Sequence, residues 1–317
     1  MLHTFNPLPV ILKAELCSSS GLAGLTTPPS EQEIECLGLD SSNFEPASSG
    51  QGRVYICGKS TSSLDVAWQL EKEACLEAWD SVLCLSQSGG RGQLRRHWHS
   101  PEGNIYAALK LPPSLQGDMA SLLVAFLAVK GMQNIMEKAF ASSETINNHS
   151  NLASPSSFIK FKWPNDVLWG EHKIGGILLE ERSTTLVAGI GLNLVSAPPL
   201  SALREDSALP AGNIVELAGN FIKKPHFSPF SMWQSLVSMM RFWYESEVLP
   251  AKAKNHMQLI EPELAWKGCL VRVCDYFTQE KMPVKTGRVL GLGSQGELCL
   301  LIEGREELIV SGSICLA

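Results

Sequence analysis

Two kinds of hydrophobic pattern follow one another along the chain. Short β-branched or apolar runs bounded by turn residues predict strands. These strands are expected at 53–58, 81–85, 104–112, 158–161, 166–169, 173–181 and 185–194. Apolar residues at helical spacing predict helices over 62–80, 118–140 and 228–258. The pattern therefore predicts a domain that mixes α and β structure.

Three parts of the chain depart from this pattern: the N-terminal segment, a polar tract in the middle and the C-terminal segment. Residues 1–50 are rich in Ser, Pro and Gly, which predicts an irregular arm with one strand at 10–16. The polar tract 141–157 predicts a surface insertion. After Pro262, short alternating runs broken by glycine predict a small five-stranded barrel or sandwich. The predicted parts are an N-terminal arm, a larger domain and a small C-terminal domain, with bounds 1–52, 53–262 and 263–317.

Composition and charge narrow the class of protein. The 317 residues correspond to about two domains of ordinary size. There are 26 Lys and Arg against 32 Asp and Glu, and the net charge of −6 argues against nucleic acid or an anionic membrane as partner. The apolar run 122–129 is far shorter than the ~20 residues of a membrane span. Nine scattered cysteines without a CxxC pair, and an N-terminus without a basic region, predict a cytoplasmic protein with free thiols.

The segment 89–98, GGRGQLRRHW, has a composition typical of a phosphate-binding loop. Its glycines allow the backbone to approach a ligand closely, and Arg91 supplies a bidentate positive charge. A solvated surface loop has the same composition. This segment alone therefore leaves both interpretations open.

Two further segments carry polar residues at the ends of predicted strands. Lys162, just before the turn in KWPND, either binds a carboxylate or phosphate or is an ordinary edge-strand lysine. Asn165 and Asp166 either bind Mg²⁺ or form that turn. In the segment 188–193, AGIGLN, the glycines indicate either a close approach of backbone to ligand, with Asn193 as polar contact, or a β-bulge.

Four motifs in this order, QSGGRGQLRRHWHSPEGNIY, KWPNDV, KIGGILLE and GIGLNL, closely resemble the biotin protein ligase family over about residues 54–317. The arm shows no helical DNA-reading pattern, which favours the monofunctional type without a DNA-binding domain. The resemblance implies an α+β fold. It consists of a biotin/lipoate ligase-type catalytic domain at 53–262, with a central mixed β-sheet flanked by helices, and a small SH3-like β-barrel at 263–317.

The resemblance also implies roles for individual residues, with Lys162 and Arg91 as the catalytic pair. The residues implied to contact biotin are Ser60, Thr61, Gln87, Gly90, Arg91, Gly92 and Lys162. The residues implied to contact ATP or the adenylate are Arg96, Trp98, Asn165 and Asn193. Asp166 is the candidate contact to Mg²⁺.

The implied activity has two steps. Biotin is activated by ATP, with Mg²⁺, as biotinyl-5′-AMP, and is then transferred to a lysine of a biotin carboxyl carrier protein or carboxylase carrier domain. The alternatives are a lipoate or octanoate ligase of the same fold, a non-enzymatic biotin-binding regulator, and a degenerate ligase kept as a binding scaffold. A monomer and a homodimer formed through an edge strand both stay open.

The chain departs from the family pattern at Gln93, where GRGR or GRGK is common. A neutral amide cannot hold a phosphate by charge. The hypothesis that follows is a weaker hold on the adenylate, and Arg95 is the nearest residue that would compensate.

Overall fold

The computed structural model describes residues 10–12, 25–27, 30, 52–93, 96–115, 117–142, 154–199, 201, 209–223, 227–251, 255–274 and 285–317. Most of the predicted N-terminal arm lies outside the described residues. So do most of the insertion predicted at 141–157 and the compensating residue Arg95.

The strands of the described ranges form two sheets. The larger sheet contains β1 Val10–Leu12, β2 Val54–Ser60, β3 Ser81–Gln87, β4 Ile105–Lys110, β5 Ile159–Lys162, β6 Asp166–Trp169, β7 His172–Arg182 and β8 Thr185–Leu192. The smaller sheet contains β9 Leu270–Cys274, β10 Thr286–Leu292, β11 Leu298–Ile302, β12 Arg305–Ile309 and β13 Ser313–Leu316.

The helices are α1 Ser63–Lys72, α2 Ala120–Ser142, α3 Ile214–Ala218, α4 Pro229–Trp243 and α5 His256–Ile260. Short 3₁₀ turns lie at Pro113–Leu115, Pro155–Phe158 and Glu261–Glu263, and one π-helical turn, Tyr244–Val248, continues α4. Within the ranges described, none of the helices combines the length and the apolar character that crossing a bilayer requires.

The larger sheet has the strand order β1-β2-β3-β4-β8-β7-β6-β5. Strands β1, β2 and β3 are parallel, whereas each later neighbour is antiparallel. Helix α1 packs on one face against β3, β4 and β8, and α2 packs with α4 on the other. This confirms the predicted central mixed sheet flanked by helices.

The smaller sheet is antiparallel throughout, in the order β12-β11-β10-β9-β13. It confirms the predicted five-stranded C-terminal unit and is consistent with an SH3-like barrel. The turn between its strands β10 and β11 contacts the turn after β5, because the Trp163 Nε1 donates a hydrogen bond of 3.0 Å to the carbonyl of Gly296.

The helix predicted over 62–80 is shorter than its apolar spacing indicated. Helix α1 begins after Ser62, whose Oγ accepts the N–H of Asp65 at 3.1 Å, and it ends at Lys72. The chain then turns through Ala74 and Trp79, both with positive φ, which no α-helix accommodates. A local sequence pattern does not show this turn, because it depends on tertiary contacts such as the Arg53 guanidinium bonded to the carbonyl of Cys75.

The helical pattern predicted over 228–258 is also divided. Helix α4 ends at Trp243, the π-helical turn follows, and α5 is a separate helix. Tyr244 and Val248 of the π-helical turn are buried against the core, so this segment keeps the apolar spacing of a helix while its backbone geometry changes.

Candidate active site

A cavity of about 580 Å³ lies against the face of the larger sheet that carries α1. This volume is within the range of small-molecule sites. The predicted site residues that line it are Gln87, Arg91, Gly92, Arg96, Trp98, Lys162, Asn165, Asp166 and Asn193. The fold therefore brings residues of all four sequence motifs to one cavity, and Arg91 and Lys162 line the same space.

Glycines of adjacent strands form the floor of the cavity. Gly176 of β7 pairs in register with Gly191 of β8. Gly189, two residues before Gly191, lies on the same face of β8. The indole of Trp98 covers Gly176 and Gly191, while Leu64 of α1 covers Gly189. Strand β8 keeps an unbroken register with β4 and β7, so these glycines provide close approach and do not form a β-bulge.

We expect Gly191→Ala to destabilise the protein by about 1–3 kcal/mol, the usual cost of overpacking a filled site. A Cβ at this position would lie 2.7 Å from Trp98 Cε2 and 2.8 Å from Nε1. Urea unfolding measures the loss. In a Trp98→Ala background the same substitution should be nearly neutral, and an equal loss in both backgrounds would contradict the packing assigned to Trp98.

The glycine–arginine segment folds back on itself as a short hairpin. Arg91 and His97 form an antiparallel bridge. The N–H of Gly92 donates to the carbonyl of Arg96 at 2.8 Å, and the N–H of Trp98 donates to that of Gly90 at 2.8 Å. These bonds carry Trp98 back onto the glycine floor.

Two lysines that line the cavity share one buried carboxylate. The Nζ of Lys162 lies 2.7 Å from Asp166 Oδ2, and the Nζ of Lys173 lies 2.6 Å from Oδ1. Burial alone would raise the pKa of Asp166, but the two ammonium groups, Lys173 more strongly, hold that pKa well below its ordinary value. The three side chains carry a net charge of +1.

The smaller sheet completes the environment of Lys162. Its Nζ also donates to Ser313 Oγ at 3.3 Å and to the carbonyl of Ile314 at 3.4 Å, and it lies 5.9 Å from the centre of the Trp266 ring. Gly312 and Ser313 line the cavity. Lys162 is therefore held rigidly between the two sheets.

The amide side chains at the site are engaged with the backbone. Asn165 Nδ2 donates to the carbonyl of Ile177 at 2.5 Å, which joins the turn after β5 to β7. Asn193 Nδ2 donates to the carbonyl of Gly212 at 3.1 Å. Gln87 accepts the N–H of Ser63 at 2.8 Å and donates to Ser100 at 3.0 Å. These residues shape the cavity wall and fix the elements around it.

Three of the residues predicted to contact biotin lie beside the cavity and not in its lining. Ser60 is buried and shares a hydrogen bond of 2.7 Å with Thr26. Thr61 Oγ1 is buried and has no hydrogen-bond partner among the described residues. Gly90 is enclosed by other residues, because a Cβ at this position would lie 2.9 Å from the Nε2 of Gln87. In their place Ser62 and Ser63 line the cavity.

Sequence reasoning missed Lys173 as a site residue. It lies at the start of β7, lines the cavity, and its Nζ is 5.3 Å from the centre of the Trp98 ring. The only sequence signal was its place at the head of the KIGGILLE motif. Ser313 gave no signal, because nothing local shows which strand of the smaller sheet meets Lys162.

Asp166 does not fit the role of a direct Mg²⁺ ligand. Each of its oxygens already faces an ammonium group within 2.7 Å, and a cation placed there would meet two like charges. In the parts of the chain that are described, no group of three or more His, Cys, Asp or Glu side chains is placed to hold a metal.

Comparisons with known proteins identify relatives of this chain. The sequence model of the biotin/lipoate A/B protein ligase family matches residues 55–194. Biotin–[acetyl-CoA-carboxylase] ligase of Paracoccus denitrificans is 30% identical over 201 residues, which are 60% of this chain and 75% of that protein. Biotin–protein ligase 2 of Arabidopsis thaliana is 25% identical over 206 residues, 59% of this chain and 58% of that protein.

Solved structures show the same fold. Biotin protein ligase from Aquifex aeolicus, in complex with biotin and ATP, superposes with a TM-score of 0.60 at 22% identity, over 83% of this chain and 98% of that one. The Leishmania major biotin protein ligase with biotin gives 0.55 at 21% identity, over 81% and 97%. Since the Paracoccus ligase is matched over three quarters of its length at 30% identity, the chain belongs to the biotin protein ligase family.

Proposed function

We propose that this biotin ligase uses ATP to activate biotin as biotinyl-5′-AMP and then transfers the biotinyl group to a lysine of a biotin carrier domain. The observation that carries the proposal is the cavity itself. Its lining includes a net positive group of three side chains, Lys162, Asp166 and Lys173, and the floor is made of glycines. The Paracoccus relative is a biotin–[acetyl-CoA-carboxylase] ligase, and the Aquifex structure is a complex with biotin and ATP.

The first step needs a site that offsets negative charge. A free carboxylate is a poor acylating agent, so its oxygen attacks the α-phosphate, a P–O bond to pyrophosphate breaks, and a mixed anhydride forms. The ammonium groups of Lys162 and Lys173 face the cavity where this charge develops. Because Asp166 and the smaller sheet fix them beforehand, little reorganisation is required during the reaction.

The apolar wall suits the rings of the substrate. Leu64, Tyr106 and Leu178 line the cavity beside the glycine floor. The Trp98 Nε1 is buried against Gly191 and has no acceptor among the described residues. The hairpin that carries Trp98 also keeps water from the anhydride, which hydrolyses when exposed.

The second step requires no nucleophile from the enzyme. The amine of the acceptor lysine attacks the acyl carbon, the C–N bond forms, and the C–O bond to AMP breaks. The amine loses a proton, and AMP leaves with the electron pair. Asp166, with both oxygens paired to lysines, does not fit the role of a Mg²⁺ ligand in either step.

Incubation with biotin, ATP, Mg²⁺ and a biotin carrier domain, followed by intact-mass measurement, tests the proposal. Addition of one biotinyl group to the carrier supports it. Pyrophosphate exchange with biotin and lipoate as rival substrates separates the nearest alternative, because a lipoate or octanoate ligase would exchange with the other acid. No exchange with either would favour a binding regulator and contradict the proposal.

Gln93 lines the cavity at the tip of the described hairpin. We expect Gln93→Arg to slow release of biotinyl-5′-AMP, by about tenfold if one charge-assisted hydrogen bond of about 1.5 kcal/mol is gained. Release is measured by trapping free adenylate after a single turnover. Gln93→Met, with similar size and no charge, is the matched control. Equal release from wild type and Gln93→Arg would end the idea.

A further inference from the structure

Arg91 lies in a different electrostatic environment from the two lysines. Its Nη2 is 2.8 Å from Asp65 Oδ1 on α1 and 3.4 Å from Glu180 Oε1 on β7. Glu180 Oε2 accepts the indole N–H of Trp68 at 2.7 Å and lies 3.5 Å from Arg182. The two arginines and two carboxylates sum to zero charge. The lysine group has a net charge of +1.

The difference in net charge between the two groups bears on the role of Arg91. A phosphate is attracted to a group with excess positive charge, and the two carboxylates compensate the charge around Arg91. The carboxylates belong to elements that are fixed in the fold. Asp65 is in the first turn of α1, and Glu180 is inside β7, where it pairs with Val187 of β8. Arg91 itself belongs to the hairpin that carries Trp98 over the cavity.

We propose that Arg91 is a positioning residue, whose guanidinium binds Asp65 and Glu180 and so anchors the hairpin over the cavity. Its effect on catalysis is indirect. The anchored hairpin holds Trp98 on the glycine floor and retains the adenylate. This kinetic consequence rests on the proposed function, whereas the anchoring itself does not.

The surrounding contacts support an anchor. The pKa of Asp65, which burial would raise, is lowered by its hydrogen bond and ion pair with Arg91. Glu180 is held in place by Trp68, and the Arg182 guanidinium stacks on the same ring at 4.3 Å. Glu180 is thus oriented independently of the hairpin, and the place of Asp65 is set by the first turn of α1.

Hydrogen exchange on the ligand-free protein tests the anchoring directly. In Asp65→Asn/Glu180→Gln, we expect the amides of Gly92 and Trp98 to exchange at least severalfold faster, since their acceptors lie within the hairpin. Peptides from the smaller sheet should be unchanged. Glu245→Gln, which breaks the Arg241 pair on α4, is the matched control and should leave the hairpin unchanged. Unchanged exchange in the double variant would overturn the proposal.

The rates of adenylate formation and release test whether the anchored hairpin retains the adenylate. Release of biotinyl-5′-AMP should rise about tenfold in Asp65→Asn/Glu180→Gln and in Arg91→Gln, and no further in the triple variant. The rate of adenylate formation should change less than threefold. The proposal would be overturned if Arg91→Gln greatly lowered the rate of adenylate formation while Asp65→Asn/Glu180→Gln behaved like the wild type. Arg91 would then contact the phosphate directly. If the wild type forms no adenylate, the proposed function fails, and the exchange experiment still decides the anchor.

Discussion

Lys162→Ala is expected to lower the rate of adenylate formation by about 10²- to 10³-fold, the usual loss when one preorganised charge-stabilising donor is removed. The substitution takes the charge of the lysine group from +1 to 0. Asp166 keeps its partner Lys173, so the buried carboxylate is not left without a counter-charge. Pyrophosphate exchange measures the activity, and thermal unfolding shows whether the fold persists.

A matched control is available on the smaller sheet. Lys285 forms a 2.6 Å pair with Glu307 outside the cavity, and Lys285→Ala removes the same charge from an exposed ion pair. It should leave exchange activity within about twofold, because exposed pairs contribute little. Unchanged turnover in Lys162→Ala would refute the assignment of the positive group of the cavity.

Asp166→Asn is expected to destabilise the protein by about 3–5 kcal/mol at pH 7, since it leaves the buried ammonium group of Lys162 without a counter-charge, next to the partly exposed Lys173. The wild-type pKa of Asp166 lies below the ~3.9 of an unfolded aspartate. The carboxylate therefore stabilises the fold fully above about pH 5, and that contribution is lost as the pH falls below about 4. The difference in the free energy of unfolding between Asp166→Asn and the wild type should therefore become smaller as the pH falls below about 4.

Urea unfolding at pH 7 and at pH 3 measures this difference. The exposed carboxylate of Glu307 provides the comparison, and Glu307→Gln should cost less than about 1 kcal/mol at either pH. A pH-independent loss in Asp166→Asn would mean that packing, and not charge, explains the effect. We also expect adenylate formation to fall, because the lysines lose the group that orients them.

Much of the candidate site could be predicted because its chemistry is carried by short motifs. The glycines of GIGLN and KIGG mark the places where a ring approaches the backbone, and the alternation of a strand puts Gly189 and Gly191 on one face. Most strands were also found from apolar runs, since strands buried on both faces have simple sequence signals. Lys162 was identified in the same way, from a charged residue at a strand end before a turn.

The remaining features depend on which elements meet in space. That helix α1 ends at Lys72 depends on contacts with β2, and Lys173 acquires its role only because it lies within 2.6 Å of Asp166. Arg91 looked like a phosphate ligand in the sequence, and the fold places it between Asp65 and Glu180.

By itself the sequence determined the strands, the glycine floor and the presence of cationic groups, because local patterning and residue chemistry define these. Only the tertiary structure decided which cations keep an excess of positive charge. That balance is set by carboxylates from distant elements, and ion pairing depends on distances that no local pattern contains.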